Sequence, residues 1–166
     1  MSLRTLSITT FTPTATADTV ALVDATHLSL QGSTGTERLA INEIQMGGQA
    51  NVTSPSILVF ARHSTFGLTP SLGAGCKDAV ADASSAAGTA RGYNTAATDP
   101  QRSATLGLLN LTFNAFGGIV KWFSSNVPGK DIAIVGNTAS LGEAGLSCFT
   151  GGTVGAMGGH IIYEPM

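Results

Sequence analysis

At 166 residues, 43% hydrophobic and 11% charged, the chain has the length and composition of a single folded domain spanning 1–166, not of a disordered segment. Its formal net charge is −2, and its eight basic residues (Arg4, Arg38, Arg62, Lys77, Arg91, Arg102, Lys121, Lys130) are scattered, which excludes the basic footprint of a nucleic-acid binder. No apolar run approaches the roughly 20 residues of a membrane-crossing helix.

Leu3 to Phe11 alternates with period two and then meets Pro13, the pattern of a first strand. Leu6-Ser7-Ile8-Thr9 alternates instead of forming the apolar core of a signal peptide, so synthesis in the cytoplasm is expected. Val20 to Val23 and His27 to Leu30 predict a second strand, or two strands joined by a bend at Asp24-Ala25. After the turn cluster Gln31 to Gly35, Leu39 to Met46 predicts a third strand closed by Gly47-Gly48. Ile57 to Arg62, a continuous apolar run between Pro55 and Gly67, predicts a fourth, buried on both faces.

Thr69 to Ser103 is rich in Ala, Gly, Ser and Thr and has almost no large apolar side chains. Lys77 to Arg91 has helix-forming alanines but no apolar stripe, and Ser84-Ser85 and Gly88 weaken it. The stretch reads as one long surface excursion with at most a helical turn, suited to reaching a neighbouring subunit. Strand patterning returns at Ala104 to Phe113 and Phe116 to Ser124, with Gly117-Gly118 marking a bulge or turn. Asn126 to Lys130 is a turn. Ile132 to Val135, Ala144 to Phe149 and His160 to Tyr163 complete the strands, and the Gly-rich stretch Thr150 to Gly159 reads as a flexible connection. Short strands with Gly and Pro punctuation, uneven connections and no repeat predict an all-β antiparallel sandwich, jelly-roll-like.

The chemistry-bearing residues do not form a site in the sequence. His27, His63 and His160 fall on separate strands or strand ends with no metal-ligand spacing, and carboxylates are sparse. Ser147, in Gly145-Leu146-Ser147-Cys148-Phe149, has half of a nucleophile elbow, but Phe149 replaces the closing glycine and the context is a strand. Cys148 has no local base to activate it, and Cys76 and Cys148 read as free, buried thiols, with a disulfide between them as the alternative. Gly151 to Gly159 lacks the Gly-Lys-Ser/Thr ending of a phosphate loop. Asp78 and Asp82 lack the further oxygen ligands of a calcium loop. Asn51-Val52-Thr53 and Asn110-Leu111-Thr112 match the glycosylation triplet, which means little without a signal peptide. Trp122 sits mid-strand and reads as core more than as a sugar-stacking platform. The expectation is a protein that is not an enzyme, with no catalytic, cofactor-binding or metal residues and no cofactor.

Asn110 to Trp122, Ile44 to Ala50 and Gly151 to Pro165 resemble small β-rich head-associated proteins of tailed phages and prophages. The resemblance spans most of the chain and brings no functional residue with it. It implies a jelly-roll subunit, trimeric on the capsid, that decorates or cements the coat lattice of a virion assembled in the bacterial cytoplasm. Low charge points the same way, because a neutral-leaning surface favours assembly. The alternatives are a carbohydrate- or receptor-binding jelly-roll module, or the self-assembling coat protein itself. Neither nucleic acid nor membrane is expected as a partner.

Overall fold

A computed structural model describes residues 4–11, 27–32, 34–65, 75–76, 89–93, 101–124, 132–136, 142–150 and 156–166. In them the chain forms eleven strands: β1 (Arg4–Phe11), β2 (His27–Gln31), β3 (Arg38–Gly48), β4 (Pro55–Thr65), β5 (Gly75–Cys76), β6 (Thr89–Tyr93), β7 (Gln101–Asn114), β8 (Ile119–Phe123), β9 (Ile132–Val135), β10 (Glu143–Thr150) and β11 (Met157–Pro165). They make two antiparallel sheets, a β-sandwich. The first sheet runs β5-β1-β11-β3-β8, with β9 beside β8 on the same edge of β3, and the second runs β6-β2-β10-β4-β7.

The core lies where the inward faces meet. The first sheet contributes Leu39, Ile41, Ile44, Met46, Ile134, Met157, Ile161 and Tyr163; the second contributes Leu28, Leu30, Leu58, Phe60, Ala144, Leu146 and Cys148. Ile41 and Ile44 both face inward although they stand an odd three positions apart. A bulge opposite Ile162 and Tyr163 absorbs the extra residue and resets the alternation. On the second sheet, β10 is buried along its whole length, and Val59, Ala61 and Phe149 form a separate apolar cluster on the outer face. The double-sided burial expected of Ile57 to Arg62 is present at Leu58, Val59, Phe60 and Ala61. Trp122 packs half-buried against the core from edge strand β8.

Two expectations need correction. The Thr69–Ser103 stretch is not all loop: Gly75–Cys76 pairs with β1, Thr89–Tyr93 pairs with β2, and Gln101 to Ser103 begin β7. Backbone pairing to strands that already exist supplies the order its small side chains cannot. The Gly-rich stretch before His160 also ends early, because Met157, Gly158 and Gly159 belong to β11 and pair with β3. The helix considered over Lys77 to Arg91 lies outside the described residues up to 88 and is strand from Thr89. Val20–Val23, Asp78, Asp82 and the Asn126–Lys130 turn also lie outside them.

The turn between β7 and β8 shows how the quoted sequence motif folds. Asn114 Oδ1 accepts hydrogen bonds from the backbone N–H groups of Ser54 and Phe116, each at 3.0 Å, which ties the turn to the β3–β4 connection. Gly117 takes a φ of 69°, a left-handed conformation that glycine adopts without steric cost.

Candidate functional site

Two clusters of polar side chains come together, one on the outer face of each sheet. On the second sheet, inward Leu28, Leu30, Ala144 and Leu146 leave Ser29, Gln31, Glu143 and Gly145 facing out. Register then sets Gln31 beside Glu143, and Ser29 beside Gly145. His63 reaches across from β4, and its Nδ1–H donates to Glu143 Oε1 at 2.7 Å. The imidazole lies over Gly145: a Cβ there would stand 2.5 Å from His63 Nε2 and 2.9 Å from the Leu28 carbonyl oxygen. Glycine at 145 is therefore what gives the ring its place. Ser29 Oγ is buried beside this group without a hydrogen-bond partner.

Serine, histidine and a carboxylate together invite a reading as a nucleophilic triad. Two observations weigh against it. No Ser29–His63 hydrogen bond is formed, and the His63 and Glu143 side chains are 1% and 0% exposed, so no substrate atom reaches them. The arrangement is a buried polar tie between β4 and β10. Ser147, the elbow residue of the sequence, is buried in the middle of β10, in a strand. Cys148 is a free thiol facing the core, and burial pushes its pKa up to about 12, which holds it in the unreactive protonated form.

The second cluster is open to solvent. On the outer face of the first sheet, Glu43 of β3 sits between β11 and β8. His160 Nε2–H donates to Glu43 Oε1 at 2.7 Å, and Lys121 Nζ donates to the same oxygen at 3.0 Å. The Lys121 ammonium also lies 4.5 Å from the centroid of the Phe123 ring, within cation–π range. Gln45 stands beside this group, paired by register with His160 on one side and Lys121 on the other.

The hydrogen bond from His160 is the largest influence on the Glu43 carboxyl; burial opposes it, and the bond from Lys121 with the charges of both neighbours tips the balance to a pKa below the ordinary value. A carboxyl depressed in the folded state stabilises the fold at pH above its unfolded pKa, and that contribution disappears as pH falls through the folded value. Glu43→Gln is therefore expected to lower the thermal midpoint at neutral pH and to converge with the parent protein in acid. Parallel melting curves between pH 7 and pH 3 check this; a gap that widens in acid contradicts it.

Sequence reading found His63 and His160 but neither of their carboxylate partners, which lie 80 and 117 residues away. His27 is the first residue of β2, and of it only the backbone is described. Among the described residues, no group of three or more His, Cys, Asp or Glu side chains is placed to hold a metal ion. No described helix is long and apolar enough to cross a membrane.

No protein-family model, curated protein or solved structure matches the chain.

The exposed apolar side chains are the other feature of the surface. Phe116 (57% exposed) and Ile119 (70%) sit at the turn end of β8, and exposed Val52 lies in the adjoining β3–β4 connection. Backbone bonds from Ala50 N–H to the Ala115 carbonyl and from Ala115 N–H to the Ser54 carbonyl tie the two loops together. One end of the sandwich thus carries an apolar patch.

Proposed function

We propose that this chain is a non-catalytic structural subunit of a virion, a jelly roll that assembles into homo-oligomers and decorates or cements a phage coat lattice. The observation that carries the reading is the strand order. With β5, β6 and β9 set aside, the remaining eight strands number 1-8-3-6 in the first sheet and 2-7-4-5 in the second. Every connection among those eight crosses between sheets except the one from β4 to β7, which are antiparallel neighbours. That order supports the jelly-roll reading, an architecture used by capsid and lectin domains. Fold alone assigns no function. Further support comes from the patch of Val52, Phe116 and Ile119, from the low charge, and from the resemblance of Asn110–Trp122 and Ile44–Ala50, segments that converge on the patch end.

In this reading the mechanism is passive. Stable specific interfaces bury about 1,600 Å² in total, and several such contacts around an oligomer reinforce a shell without any single strong bond. Light scattering of the purified chain tests it. A discrete oligomer, a trimer by expectation, that dissociates on Phe116→Ser combined with Ile119→Ser supports the proposal. A monodisperse species at the chain mass of 16.8 kDa in concentrated solution overturns it.

A further inference from the structure

We infer that the outer face of the first sheet is a binding platform for neutral saccharides, built from Glu43, Gln45, Lys121, Phe123 and His160. The inference is independent of the assembly proposal. It uses the flat of the sheet, which meets the loop-end patch only at Ile119.

The argument begins with which polar atoms are already committed. His160 Nε2–H and Lys121 Nζ both donate to Oε1 of Glu43, so Oε2 remains to accept from a ligand. His160 directs its Nε2 proton at Glu43, which leaves Nδ1 for a ligand. Lys121 has further ammonium protons beyond the one it gives to Glu43. The Gln45 amide, between His160 and Lys121 in the register, adds a carbonyl acceptor and an NH2 donor. The set therefore offers donors and acceptors side by side on one face. A hydroxyl group donates and accepts at once, and a sugar ring presents several, so an alternating set of this kind matches a polyol.

Charge selects among polyols. Glu43 and Lys121 are ion-paired and cancel, which leaves no excess of carboxylate or ammonium between them with which to recruit a phosphorylated or carboxylated sugar. Phe123 supplies the apolar part of the recognition. Its ring remains 58% exposed although it is steered by the Lys121 ammonium, and an exposed ring is a surface on which the C–H face of a sugar packs. The floor suits a flat ligand: Gly47 lies between Gly158 of β11 and Ile119 of β8, and a Cβ at Gly47 would meet nothing closer than 3.8 Å.

Calorimetric or NMR titration of the full chain with cellohexaose, laminarihexaose, maltohexaose and chitin hexaose tests the inference. At least one is expected to bind, with affinity reduced about tenfold or more by Gln45→Ala and by Phe123→Ala. Both variants should melt within a few degrees of the parent and keep its oligomeric state, because both side chains lie outside the core. The inference fails if none of the four binds at millimolar concentration. It also fails if binding survives both substitutions, or if the parent prefers an anionic sugar such as polygalacturonate. Loss of oligomerisation in Phe116→Ser with Val52→Ser, with saccharide binding intact, separates this face from the assembly surface.

Discussion

His63→Ala is expected to destabilise the protein by about 3–5 kcal/mol, the range for breaking a buried ion-pair partnership from one side. The cost follows from where Glu143 sits. Its side chain has no solvent exposure, and His63 Nδ1 at 2.7 Å is a donor that helps offset its removal from water. Removing the imidazole also opens space over Gly145 that the backbone cannot fill. For a domain of this size each kcal/mol moves the melting midpoint by about 2–4 °C, so a fall of roughly 6–20 °C is expected. The control is the double variant His63→Leu with Glu143→Leu, which removes both partners and restores apolar volume. It should recover most of the loss, since exchange of a buried pair for well-packed hydrophobic groups is often near neutral. Urea unfolding of the three proteins measures both effects. A single-variant loss below about 1 kcal/mol, the worth of an ordinary hydrogen bond, contradicts the assignment of a buried tie.

The tie also shows what the sequence could and could not reveal. Strands with strong patterning were legible: β4 reads as buried on both faces from its unbroken apolar run, and β3, β7, β9 and β10 from their spacing. Expectation failed where pairing overrode composition. Met157-Gly158-Gly159 has the make-up of a loop, but β1 and β3 flank it on both sides, and two ladders of backbone hydrogen bonds outweigh the poor strand propensity of glycine. Gly75–Cys76 and Thr89–Tyr93 escaped notice for the same reason, being strands laid on the sheet edges at β1 and β2. The polar clusters were hidden by distance along the chain. Glu143 opens its strand like any solvated residue, and its burial depends on a register with β4 that no local pattern encodes. Glu43 was hidden further by the bulge beside it, which shifts the alternation after Ile41 so that Glu43 and Gln45 share the outer face. Gly145 was the one local hint, a glycine in mid-strand, and such a glycine marks the close approach of another group.

Phe60→Ala is expected to cost about 3–5 kcal/mol, and Trp122→Ala about 2 kcal/mol, although Trp122 is the larger side chain. The order follows from position. Phe60 is fully buried in β4, a strand paired on both sides, by β10 and β7. Its neighbours in the core are held by two sheets and cannot collapse into the space it leaves, so the cavity term adds to the lost transfer energy. Trp122 belongs to the five-residue strand β8, paired with β3 and half-buried against the core. Only part of its area leaves water on folding, and at a sheet edge solvent can enter the vacated volume, which removes most of the cavity term. The same edge position explains why a tryptophan read from the sequence as core material contributes less than its size suggests. Guanidinium unfolding of both variants, analysed with the slope of the parent protein, checks the ranking. If Trp122→Ala proves the more damaging of the two, β8 is not the loosely covered edge described here, and the solvent-facing roles assigned to Lys121 and Phe123 on that strand fall with it.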